Sequence, residues 1–447
     1  MSERFPPGPD HNVFQAVLST LQQQRDRLAF LIAMAHRYGD ICHFHTGARN
    51  IYLLVNPDYI HSALVEQADK FYKTRPFKRV FGRFLGQGLF VLEGNEHRRA
   101  RRLTQPAFHY QRVAAYAGIM VEHTQRLIDR WTPGKEYDIA QEMMRLTLSI
   151  VARTLFDADV SGETQSVAEA MMILQDATMQ QFRLAIHAPH WFPTAQNRKE
   201  QFAIKLLDEI IFRIIDERRS SGADKGDLLS MLLLTEDDEG GKNSIQQVRD
   251  ELISMFLAGH ETTANALTWA WYLLAQHPEV VSKLQRELDD VLSGHSPRAG
   301  DVDRLPYATM IIKETLRLYP PAWVITREAI ADVTIAGYTL KEGSVVVTSP
   351  YITHRLPTYY TDPDQFRPER FTSGYEQSLP RSAYFPFGGG PRVCIGQSFA
   401  MMEAVLILAT IAQQYRLTLV PRQEVEIEPL VTLRAKHGIR MRATSAN

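Results

Sequence analysis

Apolar positions along this chain recur mostly at three- and four-residue spacings, the period of a helix with one buried face. Two short zones break that rule. Ile41–Val55 sets ICHFH and IYLLV on either side of a Gly-Ala-Arg-Asn turn. Ala329–Tyr351 sets AGYTL and SVVVT on either side of Lys341-Glu342-Gly343. Both read as β-rich. The pattern therefore predicts a mainly α fold with a small β-rich subregion. No internal repeat, low-complexity block or Ser/Gly linker divides the chain, so residues 1–447 are expected to form a single domain.

The clearest predicted helix runs from Ser244 to His277. Ser244 and Gln247 form an S-x-x-Q capping box at its start, and Pro278 ends it. At 1.5 Å per residue it is about 50 Å long. Its apolar residues Val248, Leu252, Ile253, Met255, Phe256 and Leu257 are too broad for one stripe, which predicts burial on several sides. Further helices are expected after Leu305-Pro306, carrying Ile311–Leu318, and after Gly396, carrying Phe399–Ala412.

Charge and cysteine content narrow the classes. Lys+Arg total 50 against 51 Asp+Glu, which argues against a nucleic-acid binder. Two cysteines, Cys42 and Cys394, are too few for a disulfide scaffold, a zinc ribbon or a Cys-ligated iron–sulfur cluster. Met1–Asp10 carries no targeting pattern. The apolar run Ala404–Ala412 is nine residues, against about 20 for a spanning helix. The expectation is a cytoplasmic protein with no membrane span.

The segment Phe385–Ala400, FPFGGGPRVCIGQSFA, places one cysteine between a glycine-rich turn and the start of an apolar helix. Glycine lets the backbone approach a flat ligand, and the free N–H groups of a helix start favour a thiolate. A thiolate in such a nest suits the axial position of haem iron. A buried structural cysteine is the competing explanation. The pattern F-x-x-G-x-R-x-C-x-G, met by Phe387, Gly390, Arg392, Cys394 and Gly396, decides for the ligand. On these residues the chain resembles the cytochrome P450 family of haem-thiolate monooxygenases.

Other segments extend the resemblance. Glu314 and Arg317 in KETLRL, with Arg370 in FRPERF, match the family's structural triad that braces the cysteine loop. Ala258-Gly259-His260-Glu261-Thr262-Thr263 is similar to the oxygen-activation motif. The resemblance implies that Ala258 and Gly259 leave room for dioxygen, that Thr262 holds it and that Glu261 relays protons. The residues alone allow a plainer account: close helix packing at Gly259, and Thr262 bonded back to a carbonyl one turn earlier. A zinc-protease helix is excluded because position 264 is Ala, so the second histidine of H-E-x-x-H is missing.

In Gly94–Arg102, GNEHRRARR, His97 and Arg101 share a helix face. His97 stands where the family often has Trp. The resemblance implies that His97, Arg101 and Arg392 meet the haem propionates, with Arg327 in WVITRE as a further partner. The alternatives are a solvated basic helix and a nucleic-acid patch. Arg98, Arg99 and Arg102 are expected to dock an acidic electron donor. Cys42, His43 and His45 fall on opposite faces of a predicted strand, which argues against a metal site there.

The aromatic and basic stretch Phe71–Phe90 is either a pocket lining or a packed edge. His187–Arg198, HAPHWFPTAQNR, is similar to the family's access-channel region. Taken together, the resemblance implies a cytochrome P450 fold with a long central helix crossing over haem b, and Cys394 as the iron ligand. The implied reaction inserts one atom of O2 into a lipophilic substrate such as a fatty acid or terpenoid. No flavin or iron–sulfur domain is recognised within the chain, so ferredoxin or flavodoxin plus a reductase is the expected electron source. A peroxide-using peroxygenase and a non-catalytic haem sensor are the alternatives.

Overall fold

The computed structural model describes residues 5–9, 26–159, 162–183, 192–234 and 243–446. They gather into two compact units. The first comprises the described parts of Met1–Arg79, Leu316–Phe366 and Arg370–Cys394, the second those of Val80–Thr315, Arg367–Glu369 and Ile395–Asn447.

The first unit is built on a five-stranded sheet. Its order is Ile41–Thr46, Arg49–Leu54, Val345–Thr348, Ile325–Ala329, Phe71–Tyr72. The first two strands form the expected hairpin, with Ile41 opposite Leu54 and Thr46 opposite Arg49. Val345–Thr348 runs parallel to Arg49–Leu54, with Ile51 opposite Val345. It is buried along its whole length, as a β-branched central strand should be. The strands flanking Lys341-Glu342-Gly343 do not pair with each other. Tyr338–Leu340 instead folds back on Val333–Ile335. Ala336 and Gly337 both take positive φ there, 54° and 77°, which gives the tight hairpin twist. Tyr52, Leu54, Ile60, Leu64, Phe71, Val346 and Phe385 form the core of this unit.

The second unit is mostly helical and contains the long helix, Ile245–Gln276. Both halves of the predicted capping box form: Ser244 Oγ accepts from Gln247 N–H, and Gln247 Oε1 accepts from Ser244 N–H. From Val248 to Leu274 nearly every residue is buried, which accounts for its lack of a single apolar stripe. Helices Ile139–Phe156, Ala195–Ser221 and Gln397–Gln414 pack against it. The approach of the first is close: a Cβ on Gly259 would lie 2.9 Å from Val151 Cγ2. The hairpin of Ile427–Pro429 and Leu433–Ala435 is tied to the same helix. Trp269 Nε1 donates to Leu433 O at 3.1 Å, and Asn265 Nδ2 donates to Thr432 Oγ1 at 3.1 Å. No described helix is long and apolar enough to cross a membrane.

Candidate active site

Of the two cysteines, one is chemically silent. Cys42 is buried in its strand, and burial pushes its thiol up to about 12. It therefore stays protonated at neutral pH and is a poor metal ligand. Its neighbour His43 is also engaged, with Nε2 2.9 Å from Asn50 Oδ1 and its ring stacked on Phe5. Cys394 is exposed. Its N–H donates to Phe387 O at 2.9 Å, Val393 N–H to Gly390 O at 3.0 Å, and Gly388 N–H to Phe385 O at 3.0 Å. These bonds close the loop on itself, with Cys394 exposed on it. Gly388 and Gly390 have φ of 75° and 63°, a region that L side chains rarely enter. A Cβ on Gly390 would also collide with the Leu64 carbonyl oxygen.

The loop is braced from behind by the same unit. Tyr360 Oη donates to Ala383 O at 3.0 Å, and Phe385 N–H donates to His354 Nε2 at 2.9 Å. Burial and the nearby guanidinium groups of Arg317 and Arg355 lower the His354 pKa well below its usual value. It is therefore neutral and free to accept. Arg317 is fully buried and donates to the carbonyls of His354, Pro363 and Gln365 at 2.9, 2.6 and 3.0 Å. Arg370 donates to Asp362 O at 2.6 Å. Glu314, in the second unit, is likewise buried and accepts from Arg367 N–H at 2.9 Å. The three residues of the expected triad are thus buried and occupied with main-chain groups. His354 and Tyr360, which carry the bracing to the loop, showed no signal in the sequence. Arg392 is half-buried within the loop, and Arg327 is half-buried on the strand Ile325–Ala329.

In the second unit the middle of the long helix is distinctive. Ala258 is exposed, and Gly259 and Thr262 are half-buried, while the flanking turns are buried. Thr262 Oγ1 donates to Ala258 O at 2.9 Å. Gly259 is explained by helix packing against Val151. Glu261 is buried, and Thr432 Oγ1 donates to its Oε1 at 2.5 Å. Burial raises this carboxyl to about 7, against the opposing pull of the Thr432 bond and the Arg434 charge. His260 is held neutral by burial, at about 4, with Nδ1 2.6 Å from Phe256 O.

The helix Gly94–Thr104 buries His97 and half-buries Arg101. Arg98 and Arg102 are exposed on it, and Arg99 is half-buried. Phe81 sits 5.9 Å from Phe84 and 5.4 Å from Phe90, ring centre to ring centre, so the aromatic stretch is at least partly a packed cluster. Of the expected access stretch, residues 187–191 lie outside the described residues.

Each unit by itself carries chemistry suited to a haem. The first unit supplies an exposed cysteine on a self-bonded glycine-rich loop, with a cation two residues away. The second supplies a patch of small residues on an otherwise buried helix, beside a carboxyl able to exchange a proton near neutral pH. The sequence comparisons agree. The family model for cytochrome P450 matches residues 6–439. Cyclooctatin synthase of Streptomyces melanosporofaciens is 38% identical, covering 93% of this chain and 91% of its own. Cyclooctat-9-en-7-ol 5-monooxygenase of the same organism is 35% identical, covering 90% and 87%. Pentalenene oxygenase of Streptomyces avermitilis is 33% identical, covering 95% and 94%. The chain belongs to the cytochrome P450 family and is a haem b-dependent, haem-thiolate monooxygenase.

Proposed function

We propose that the chain oxygenates a terpenoid-type lipophile, with Cys394 as the iron ligand and Glu261 and Thr262 as the residues that manage protons. The observation that carries this reading is the Ala258–Thr262 patch, open on a buried helix, next to a carboxyl raised to about 7. When bound, haem b supplies the activation of dioxygen. Thr262 presents a hydroxyl whose proton is held on Ala258 O until a better acceptor arrives. Glu261, raised to about 7 by burial, can hold a proton or release one near neutral pH. His97, Arg101, Arg392 and Arg327 would supply the cations and donors for the two propionates, and Phe387, Ala258 and Gly259 would leave room for the ring.

The substrate class rests on the relatives. Their names denote an alkene, pentalenene, and an unsaturated alcohol, cyclooctat-9-en-7-ol. Compounds of this kind offer little polar anchorage, which suits an apolar wall such as the Phe81, Phe84 and Phe90 cluster. Electrons are proposed to come from ferredoxin or flavodoxin with its reductase in the cytoplasm.

The test is a panel of terpene hydrocarbons, terpene alcohols and fatty acids, scored by the low-to-high-spin shift of the ferric protein. Products are then sought with a ferredoxin and reductase system, and separately with peroxide. Micromolar shifts and reductase-driven product confined to terpenoids support the reading. Preference for fatty acids, or product from peroxide alone, rejects it.

A further inference from the structure

The N-terminal third of the long helix carries a cluster that the haem chemistry does not require. Arg249, Asp250 and Glu251 are all buried. Arg249 Nε donates to Asp208 Oδ1 of helix Ala195–Ser221 at 2.7 Å. A second nitrogen of the same guanidinium donates to Phe84 O at 2.7 Å. Asp250 Oδ2 accepts from Gln87 N–H at 2.7 Å, and Glu251 Oε2 accepts from Leu89 N–H at 3.0 Å. Three consecutive side chains of one helix thus grip the main chain of Phe84–Leu89 at three points.

The loop is shaped for this grip. Gly86 has φ of 57°, and a Cβ there would collide with the Asp250 carboxylate. A Cβ on Gly88 would collide with Ser254 Oγ and with the Asp250 carbonyl. Side chains at either position would push the loop off the helix. The cost of burying the Asp250 charge is met by Arg249, 3.0 Å away.

Helix geometry says what this placement controls. Glu251, Ala258 and Thr262 fall within about 40° of one another around the axis, and Glu251 lies about 10 Å from Ala258 along it. The gripped loop therefore meets the long helix on the side that bears Ala258 and Thr262, about two turns before Ala258. The same segment carries Leu89 and Phe90, and the Phe90 ring lies 5.4 Å from that of Phe81.

We infer that Asp250 and Glu251 are positioning residues: by holding the Gln87 and Leu89 amides they set the wall that selects the lipophile. The inference rests on the monooxygenase reading but adds residues that touch neither haem nor substrate.

The test uses the haem-loaded protein. Asp250→Ser loses the reach to Gln87 N–H, while Arg249 keeps Asp208 as partner and is not stranded. Asp250→Asn retains an acceptor at the same reach. Gly88→Ala displaces the loop from its own side. Spin-shift affinities are measured for a ladder of lipophiles of increasing bulk, next to the carbonyl spectrum of the reduced protein. The expected result is a change of about tenfold or more in the ratio of affinities for the largest and smallest members in Asp250→Ser and Gly88→Ala. Asp250→Asn restores most of the ratio, and the thiolate spectrum is unchanged throughout. Equal changes across the ladder, or none, overturn the positioning role and leave the monooxygenase reading standing. An unmodified protein without the thiolate spectrum overturns both. Should Gly88→Ala fail to fold, the Asp250→Ser and Asp250→Asn pair decides alone.

Discussion

Thr432 donates its hydroxyl proton to Glu261 Oε1 at 2.5 Å across 171 residues of chain, and it accepts in turn from Asn265 Nδ2. The hairpin that carries Thr432 is thereby linked to the proton inventory of the long helix. The bond favours the charged carboxylate and so opposes burial.

The pH dependence follows from the raised value. Glu261 stands near 7 in the folded chain against an ordinary 4.5. Between those values the folded chain holds more protons than the unfolded one, so this group makes stability fall as pH rises to about 7. The neutral form, which can give a proton, is lost as pH passes through about 7. Product formed per nicotinamide consumed should decline as pH passes about 7. Thr432→Val should move that decline to higher pH, and Glu261→Gln should remove it along with the stability slope. A decline that stays in place in both variants assigns it to another group.

The cysteines make a second pair of expectations. Cys394→Ser should abolish the thiolate-type spectrum of the carbonyl-bound reduced protein. Cys42→Ser should leave it intact, because that thiol is buried and protonated. Its cost is that of burying a hydroxyl in place of the thiol, about 1–3 kcal/mol by thermal unfolding. A spectrum that survives Cys394→Ser removes the basis of the ligand assignment.

Local chemistry is legible in the residue types alone. The S-x-x-Q box marked the start of the long helix to the residue, and the glycine-flanked Cys394 announced the loop. Pairings across long stretches of chain were not readable. His354 and Phe385 are 31 residues apart, and Glu261 and Thr432 are 171 apart. Nothing in the composition near Thr432 points at Glu261. The hold of Asp250 on Gln87 is made through a main-chain amide, which leaves no mark on residue type. Gly259 could be read either as packing or as room for oxygen. The nearness of Val151 supplies a packing reason that sequence alone could not weigh.

Two successive glycines in the cysteine loop should respond differently to alanine. Gly389 has an extended φ of −160°, and a Cβ there would meet Val65 Cγ2 at an ordinary 3.6 Å. Gly389→Ala should change stability by no more than about 0.5 kcal/mol. Gly390 combines a left-handed φ of 63° with a collision against the Leu64 carbonyl. Gly390→Ala should cost about 3 kcal/mol and lower the fraction of chain that retains haem. Denaturant unfolding of both variants, with haem content measured by absorbance, makes the comparison. Equal losses at the two positions would show that the loop is not held as described.

Donor docking leads to the last expectation. Arg98 and Arg102 stand one turn apart on the exposed side of Gly94–Thr104, while His97 faces inward on the same helix. Exposed cations of this kind contribute little to folding, so reversing them should not unfold the chain. They do shape the field that an acidic protein meets on approach. Arg98→Glu with Arg102→Glu should raise KM for an acidic ferredoxin or flavodoxin by about tenfold at low ionic strength. The effect should shrink in high salt as the Debye length falls toward about 3 Å. Because both side chains are exposed, spin-shift affinities for lipophiles should be unchanged. An unchanged KM for the donor would place electron entry on another surface.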